Sequence, residues 1–317
     1  MPVSKRLFKT KSSDGIHDLS GVVFSPEGVG AGKTAIKGFF HIVHGMTEYI
    51  GRYEKIMTDI AENGYVCFGY DNLGHGRTAN DDSELGFVAE KGGWDLWAKD
   101  VKVFSDAVIS DFGESGKDIP YFLMGHSMGS FIVRLAAQKY VVPNGLIVMG
   151  TGGANPASNA GLALIGIIKM FYGPKHVSQL VNKLAFGNYN KHFEDDGVPE
   201  PWLTSNTEIR KRCSSDKYCT FKFSVSAMGD LIRVMKYSNS SSWYKNISKD
   251  IPILLVSGEE DPVGNYSKGV TEVYEKLKKQ NANVKCILYK KGRHEILNDF
   301  TYPRVKEDIA EFMNSNG

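Results

Sequence analysis

The chain has 317 residues, 42% of them hydrophobic and 23% charged, which is enough apolar material for a sizeable core without disulfides, in one large α/β domain or two ordinary ones. Its 38 basic and 36 acidic residues leave a net charge of +2, a balance that gives no basis for a nucleic-acid partner. Residues 1–15 carry Lys5, Arg6, Lys9 and Lys11 but no apolar run of signal-peptide length, and no run of about 18 apolar residues occurs anywhere. A cytoplasmic location is therefore expected, with Cys67, Cys213, Cys219 and Cys286 as free thiols.

In chain order, residues 19–24 and 36–43 are β-rich and bracket a Gly-rich loop, 28–33. Gly32-Lys33-Thr34 invites a phosphate-loop reading. Such a loop needs glycine where Glu27 stands and a helix directly afterwards, where a strand follows, so a hairpin connection is expected. The second strand leads into His44-Gly45-Met46-Thr47-Glu48. A helix with Tyr53, Ile56, Met57 and Ile60 on one face then stops at Asn63-Gly64. The strand at 65–70 ends in Asp71-Asn72-Leu73-Gly74-His75-Gly76-Arg77, where His75 reads as a structural loop residue. Over 94–112, Trp94, Trp97, Val101, Phe104 and Val108 recur at helical spacing, a core stripe.

Next, four apolar residues, 121–124, run straight into Gly125-His126-Ser127-Met128-Gly129, and an apolar helical period resumes at Phe131, Ile132, Leu135 and Ala136. Strand, tight turn and helix are the context of a G-x-S-x-G nucleophile elbow. Ser127 is expected in a strained conformation, with Gly125 and Gly129 where a Cβ would clash and His126 only packing. After another strand at 146–149, the βα alternation argues for a mostly parallel sheet covered on both faces.

The rhythm breaks at Gly150-Thr151-Gly152-Gly153. Residues 154–246 show no convincing strand, only helices at 162–171, 179–186, 209–212 and 221–237 between polar loops with Pro174, Pro199 and Pro201. The segment reads as a helical cap inserted into a core made of 1–153 and 247–317. Its sequons at Asn239 and Asn246 read as solvated loop asparagines. A strand at 252–256, a helix at 268–279, a strand at 284–289 and a helix at 304–313 complete the pattern.

Two late strand ends carry the remaining chemistry: Ser257-Gly258-Glu259-Glu260-Asp261-Pro262-Val263 and Gly292-Arg293-His294-Glu295. In a parallel sheet both fall on the same edge as Ser127. The order Ser127, Asp261, His294 is that of an α/β hydrolase. A serine hydroxyl is a poor nucleophile until a base takes its proton, so His294 must reach Ser127, and an acid must orient and stabilise the imidazole. Motif position favours Asp261 for this, with Glu259 and Glu260 as immediate rivals. Charge developing on a substrate oxygen needs two backbone donors, for which the amides of Met46 and Met128 are placed. No H-E-x-x-H, H-x-x-E-H or C-x-x-C pattern supports a metal site, and no cofactor is implied.

These pieces resemble the serine-hydrolase family of lysophospholipases and monoacylglycerol lipases, grouped with the S33 serine aminopeptidases. The matching residues are His44-Gly45 with Glu48 and Gly51-Arg52-Tyr53, then Asp71 with Gly74-His75-Gly76-Arg77. They continue through Gly125-His126-Ser127-Met128-Gly129, Gly258 with Asp261-Pro262-Val263, and Arg293-His294-Glu295-Ile296-Leu297-Asn298. The resemblance implies an α/β-hydrolase core, a helical cap over the active site, and hydrolysis of an acyl ester through an acyl-enzyme. The chain departs from the family pattern at Thr47, Tyr49 and Ser130, where Gly, His and Gly are common. Thr47, Glu48, Tyr49 and Arg52 are expected on the substrate side. In the apolar helix from 162, Leu162 and Ile165 would offer a wall for an acyl chain, dip transiently into a membrane surface, or pack on the core. The expected partner is a small acyl ester or lipid such as a monoacylglycerol or lysophospholipid. The competing readings are a small-ester carboxylesterase, an amidase or aminopeptidase using the acidic run Glu194, Asp195, Asp196 and Glu200, and a non-catalytic binding protein on the same fold.

Overall fold

The computed structural model describes residues 1–29, 35–116, 118–280 and 283–317. Its eight strands are β1 (Val3–Lys11), β2 (Asp18–Pro26), β3 (Gly38–Val43), β4 (Tyr65–Tyr70), β5 (Tyr121–His126), β6 (Gly145–Met149), β7 (Ile253–Gly258) and β8 (Val284–Tyr289). They form one sheet in the order β1-β2-β4-β3-β5-β6-β7-β8. The pairings β1–β2 and β2–β4 are antiparallel, and every pairing from β4 to β8 is parallel. Strands β3 to β7 are buried at every residue, as strands must be when helices cover both faces of a sheet.

The helices over the core are α1 (Glu54–Glu62), α2 (Gly93–Asp111) and α3 (Met128–Lys139). The segment between β6 and β7 holds α4 (Ser158–Tyr172), α5 (Gln179–Phe186), α6 (Thr207–Ser215), α7 (Lys217–Thr220), α8 (Val225–Ser238) and α9 (Ser241–Asn246). After β7 come α10 (Lys268–Lys278) and α11 (Tyr302–Asn316). One face of the sheet is closed by α1 and α11 around Ile56, Ile60, Val305 and Ile309. The other is closed by α2, α3, α8, α9 and α10 around Trp97, Phe104, Ile132, Val234, Trp243 and Val273.

The tertiary structure corrects several expectations. β2 and β3 do not form a hairpin, because β4 lies between them. The Gly32-Lys33-Thr34 stretch lies outside the described residues. β1, which has no clear strand signal, is made by its register against β2, from Val3 opposite Pro26 to Lys11 opposite Asp18. Its Lys5, Lys9 and Lys11 lie exposed along the sheet edge, where charge discourages pairing with another chain. The inserted segment is not of one piece. Helices α8 and α9 bury Val225, Met228, Leu231, Val234 and Trp243 in the layer that also holds α2 and α3, whereas α4 and α5 bury Ile165 and Val181 there and set Leu164, Ile168 and Phe186 partly buried against it. The strand rhythm resumes after 246, but packing changes near 225. Asn239 is not a solvated loop residue either: its amide donates to Gly152 O and Gly153 O at 3.2 Å each, tying the end of α8 to the end of β6. Among the described residues Cys67, Cys213, Cys219 and Cys286 are free thiols.

Candidate active site

The turn between β5 and α3 holds Ser127 at φ 52° and ψ −119°, torsions that a residue with a side chain keeps only under constraint. The constraint is close approach. A Cβ on Gly125 would overlap Gly129 O and lie 2.7 Å from Val133 Cγ2. One on Gly129 would overlap Val43 O and lie 2.7 Å from His44 O. Ser127 N–H donates to Met149 O at 2.9 Å, and Ser130 Oγ donates back to Ser127 O at 2.6 Å. Ser130 thus fastens the elbow with a bond that glycine could not make.

Asp261 and His294 meet from the ends of β7 and β8. His294 Nδ1 lies 2.9 Å from Asp261 Oδ2, and the two residues are 2% and 0% exposed. Asp261 also accepts from Val263 N–H at 2.8 Å and from Ser257 Oγ at 3.3 Å. A carboxylate only accepts, so this bond places the proton on Nδ1 and leaves Nε2 basic. Of the three neighbouring acids Asp261 makes the bond, while Glu259 is exposed. His126, adjoining Ser127, has its ring centroid 4.7 Å from that of His294 and its Nε2 3.2 Å from His294 O. Gly150 leaves room for this meeting: a Cβ there would lie 3.2 Å from His294 Cε1 and 3.3 Å from His126 Cδ2. Among the described residues Ser127 Oγ has no hydrogen bond to His294, and bonds of this kind tighten when substrate arrives.

On the other side of Ser127, β3 ends in the loop 44–48. His44 Nε2 accepts from Asn72 N–H at 2.8 Å, so its proton sits on Nδ1, which donates to Gly45 O at 2.8 Å. Burial pushes its pKa down and keeps it neutral. A Cβ on Gly45 would lie 3.0 Å from Ser127 Cβ, so the loop passes directly beside the elbow. Thr47 adopts φ 51°, strained for a β-branched residue. Met46 follows Gly45 in this loop, and Met128 opens α3, where a first-turn amide has no carbonyl of its own helix to bond. Met128 thus follows Ser127 directly, and Met46 follows the glycine that approaches it.

Under the loop lies a buried polar network. Glu48 Oε1 accepts from Gly45 N–H at 2.5 Å and from Tyr53 Oη at 2.8 Å, and Oε2 accepts from Arg52 Nη1 at 2.8 Å. Arg52 also bonds both oxygens of Glu295, at 2.7 Å each. His126 Nδ1 lies 2.8 Å from Tyr53 Oη and 3.3 Å from Glu48 Oε1. Tyr53 gives its proton to Glu48 and so accepts from His126. Both ring nitrogens of His126 then face acceptors, the arrangement of an imidazolium. Burial works against that charge, but the bond to Glu48 and the charges of Glu48 and Glu295 outweigh it and raise the His126 pKa. Burial likewise works to raise the Glu48 pKa, and the His126 bond and the Arg52 charge hold it well below the usual carboxylate range.

Glu48 and Arg52 are therefore corrections to the sequence reading. Glu48 is buried and Arg52 half-buried against it, and they fasten the loop 44–48 to the loop carrying His294. His126 does more than pack. Thr47 and Tyr49 are half-buried, and Tyr49 reaches the inserted segment: its hydroxyl donates to Asp216 Oδ2 at 3.0 Å, and its ring lies 5.6 Å from that of Tyr218. Burial and the Asp216 carboxylate push the Tyr49 pKa up to about 12. Leu162 is half-buried, whereas Ile165 is buried in the apolar layer with α8 and does not line an open wall. The other side of α4 and α5 exposes Met170, Phe171, Tyr172, Leu180 and Leu184. Trp202, which carries no sequence signal, packs against His294 with ring centroids 5.0 Å apart. Among the described residues no group of three or more His, Cys, Asp or Glu is arranged to hold a metal ion, and no helix is long and apolar enough to cross a membrane.

Comparison with known proteins agrees with this architecture. The family described as "Serine aminopeptidase, S33" matches residues 34–301. The monoglyceride lipase of Saccharomyces cerevisiae is 25% identical over 305 residues, covering 93% of this chain and 90% of the relative. A thermostable carboxyl esterase from Bacillus coagulans, solved in complex with glycerol, superposes with a TM-score of 0.89 at 26% identity, covering 99% of each chain. A soluble variant of the S. cerevisiae monoglyceride lipase, solved with a substrate analog, superposes with a TM-score of 0.76 at 20% identity, covering 100% of this chain and 96% of that one. With the strained elbow, the parallel sheet and a family match over most of its length, the chain belongs to the S33 serine aminopeptidase family and has the α/β-hydrolase fold.

Proposed function

We propose that this protein is a carboxylic-ester hydrolase that cleaves esters of single-chain lipids, of the monoacylglycerol or lysophospholipid type, through an acyl-enzyme on Ser127. The observation that supports the reading is a strained, half-buried Ser127 next to His126, whose ring lies 4.7 Å from that of His294 in the buried Asp261–His294 pair. Ser127 Oγ attacks the ester carbonyl carbon while His294 Nε2 takes its proton, and Asp261 steadies the imidazolium. The amides of Met46 and Met128 receive the charge on the carbonyl oxygen. His294 returns the proton to the departing alcohol. It then takes a proton from water, which attacks the acyl carbon, and gives that proton to Ser127 Oγ as the acyl–serine bond breaks and the fatty acid leaves.

The relatives' names support the lipid class, as does the exposed apolar surface of α4 and α5, which offers a transient contact with a lipid surface. An aminopeptidase role needs free acidic groups for a substrate amine. In the inserted segment Asp196 pairs with Arg210, Glu200 accepts from Trp202 Nε1, and Asp195 accepts from Gly197 N–H. Three of the four acidic residues of the run are thus engaged within their own loop, and Glu194 is exposed.

The test is labelling with a fluorophosphonate, location of the adduct, and p-nitrophenyl esters from acetate to palmitate alongside an aminoacyl amide. The expected result is an adduct on Ser127, a rate maximum at medium or long chains, and complete loss of turnover in folded Ser127→Ala. Turnover that survives Ser127→Ala would overturn the mechanism, and activity on acetate or the amide alone would overturn the lipid class.

A further inference from the structure

Residues 201–205 of the inserted segment run alongside the loop that carries His294. Arg293 Nη1 donates to Pro201 O at 2.7 Å, His294 N–H to Trp202 O at 3.3 Å, and Glu295 N–H to Leu203 O at 2.7 Å. Thr204 Oγ1 then donates to Asn298 O at 2.9 Å, and Ser205 N–H to Asp299 Oδ2 at 3.2 Å. These bonds form a strap lying along the His294 loop. Where it crosses His294, Trp202 sets its indole against the imidazole, with centroids 5.0 Å apart and planes inclined by 38°. The His126 ring also contacts the imidazole, with centroids 4.7 Å apart and planes inclined by 40°. Tyr189 backs the indole edge-on, with centroids 4.9 Å apart.

We propose that Trp202 is a positioning residue for His294: its indole fixes the tilt of the imidazole and keeps water from the Asp261–His294 bond. A ring held by one hydrogen bond can still swing about it, and general-base catalysis needs Nε2 aimed at the serine hydroxyl. Trp202 and His126 restrict that swing. The indole face also suits an imidazole that becomes positively charged during the reaction. The charged groups facing His294 are Asp261 from the end of β7 and His126 from the end of β5, with Glu48 and Glu295 behind His126. Trp202 is the uncharged member of this shell. Through the strap, part of the inserted segment becomes the mounting of the base as well as a cover.

This inference rests on the Ser127–His294–Asp261 reading, and the experiment separates the two. Trp202→Ala and Trp202→Phe are compared with wild type for fluorophosphonate labelling at Ser127, for kcat and KM on a soluble p-nitrophenyl ester, and for the low-field proton resonance of His294 Nδ1 in phosphonylated protein. In Trp202→Ala, kcat is expected to fall about tenfold to a hundredfold, with KM changed by less than about threefold and the resonance lost to exchange with water. Trp202→Phe, which keeps a flat ring, is expected to restore kcat to within about threefold of wild type and to keep the resonance. If Trp202→Ala does not fold, Trp202→Leu takes its place with the same expected loss. An unchanged kcat and resonance in the folded variant, or a change in KM alone, would overturn the positioning role while leaving the triad intact. Wild-type protein that does not label at Ser127 would overturn the triad reading and this inference with it.

Discussion

Glu48→Gln is the most informative single substitution, because it changes one atom in the network beneath the loop 44–48. Four donors converge on the carboxylate: Gly45 N–H, Tyr53 Oη and His126 Nδ1 at Oε1, and Arg52 Nη1 at Oε2. Glutamine keeps the shape but has one accepting oxygen. If that oxygen serves Gly45 and Tyr53, its amide group confronts Arg52, donor against donor. Arg52 is not orphaned, since Glu295 still takes two of its bonds. The charge-assisted bond to Arg52 is lost, and His126 loses the counter-charge that favours its protonated form. A bond to a charged group contributes about 1.5–3 kcal/mol, and breaking a buried ion pair costs about 3–5 kcal/mol, so a loss near 3 kcal/mol is expected. The Gly45 bond weakens too, and the Met46 amide shifts with it. Complete loss of an oxyanion donor lowers kcat about 10²–10³-fold, so a partial displacement should lower it about tenfold to a hundredfold. Urea unfolding and kcat on a soluble p-nitrophenyl ester measure both effects. Stability within about 0.5 kcal/mol of wild type and kcat within about twofold would refute the argument. A change confined to KM would instead return Glu48 to the substrate-binding role its sequence position implies.

Three further outcomes follow from individual contacts. In Gly129→Ala the new methyl meets the carbonyls of Val43 and His44, backbone that has no rotamer to yield, so a loss of about 3 kcal/mol is expected in denaturant melts together with loss of turnover. A stable, active variant would refute the close-approach account of the elbow. Asp100 accepts from Ser12 Oγ at 2.9 Å and from Ser13 N–H at 2.7 Å, and burial pushes its pKa up to about 6 despite those bonds. An acid whose folded pKa lies above its unfolded value binds more protons when folded, so its contribution to stability falls as pH rises from about 4 to about 6 and is level above that. Asp100→Asn should remove up to about 3 kcal/mol of this pH dependence, read from urea unfolding at both ends of the window, and an unchanged slope would refute the assignment. Replacing Met170 and Phe171, both over 70% exposed, by serine should slow hydrolysis of monoacylglycerol in vesicles while leaving soluble esters untouched, and equal rates on vesicles would refute the surface contact.

Much of the fold is legible in the residues themselves. Strands β5, β6 and β7 open as apolar runs, and β3 is interrupted only by the buried His41, because a strand covered on both faces has no solvated side to show. The elbow is legible because strand, turn and helix are contiguous and two glycines mark where chains must touch. The order of Ser127, Asp261 and His294 is legible because each follows the end of a recognisable strand.

Other features exist only through distant partners. β1 is a strand because β2 pairs with it, and β4 separates β2 from β3 by a choice of neighbour that no local pattern records. That Asp261 bonds His294, with Glu259 left exposed, depends on how the β7 and β8 loops meet. Arg52 finds Glu295 across 243 residues, and Trp202 is brought to His294 by backbone bonds from a strap of its own segment. Periodicity and short motifs report what a residue needs from its immediate neighbours, and they determined the sheet, the elbow and the candidate triad. Which buried charge meets which, and which ring covers the base, was decided by tertiary packing, because the energy of a buried contact depends on everything else that excludes water from it.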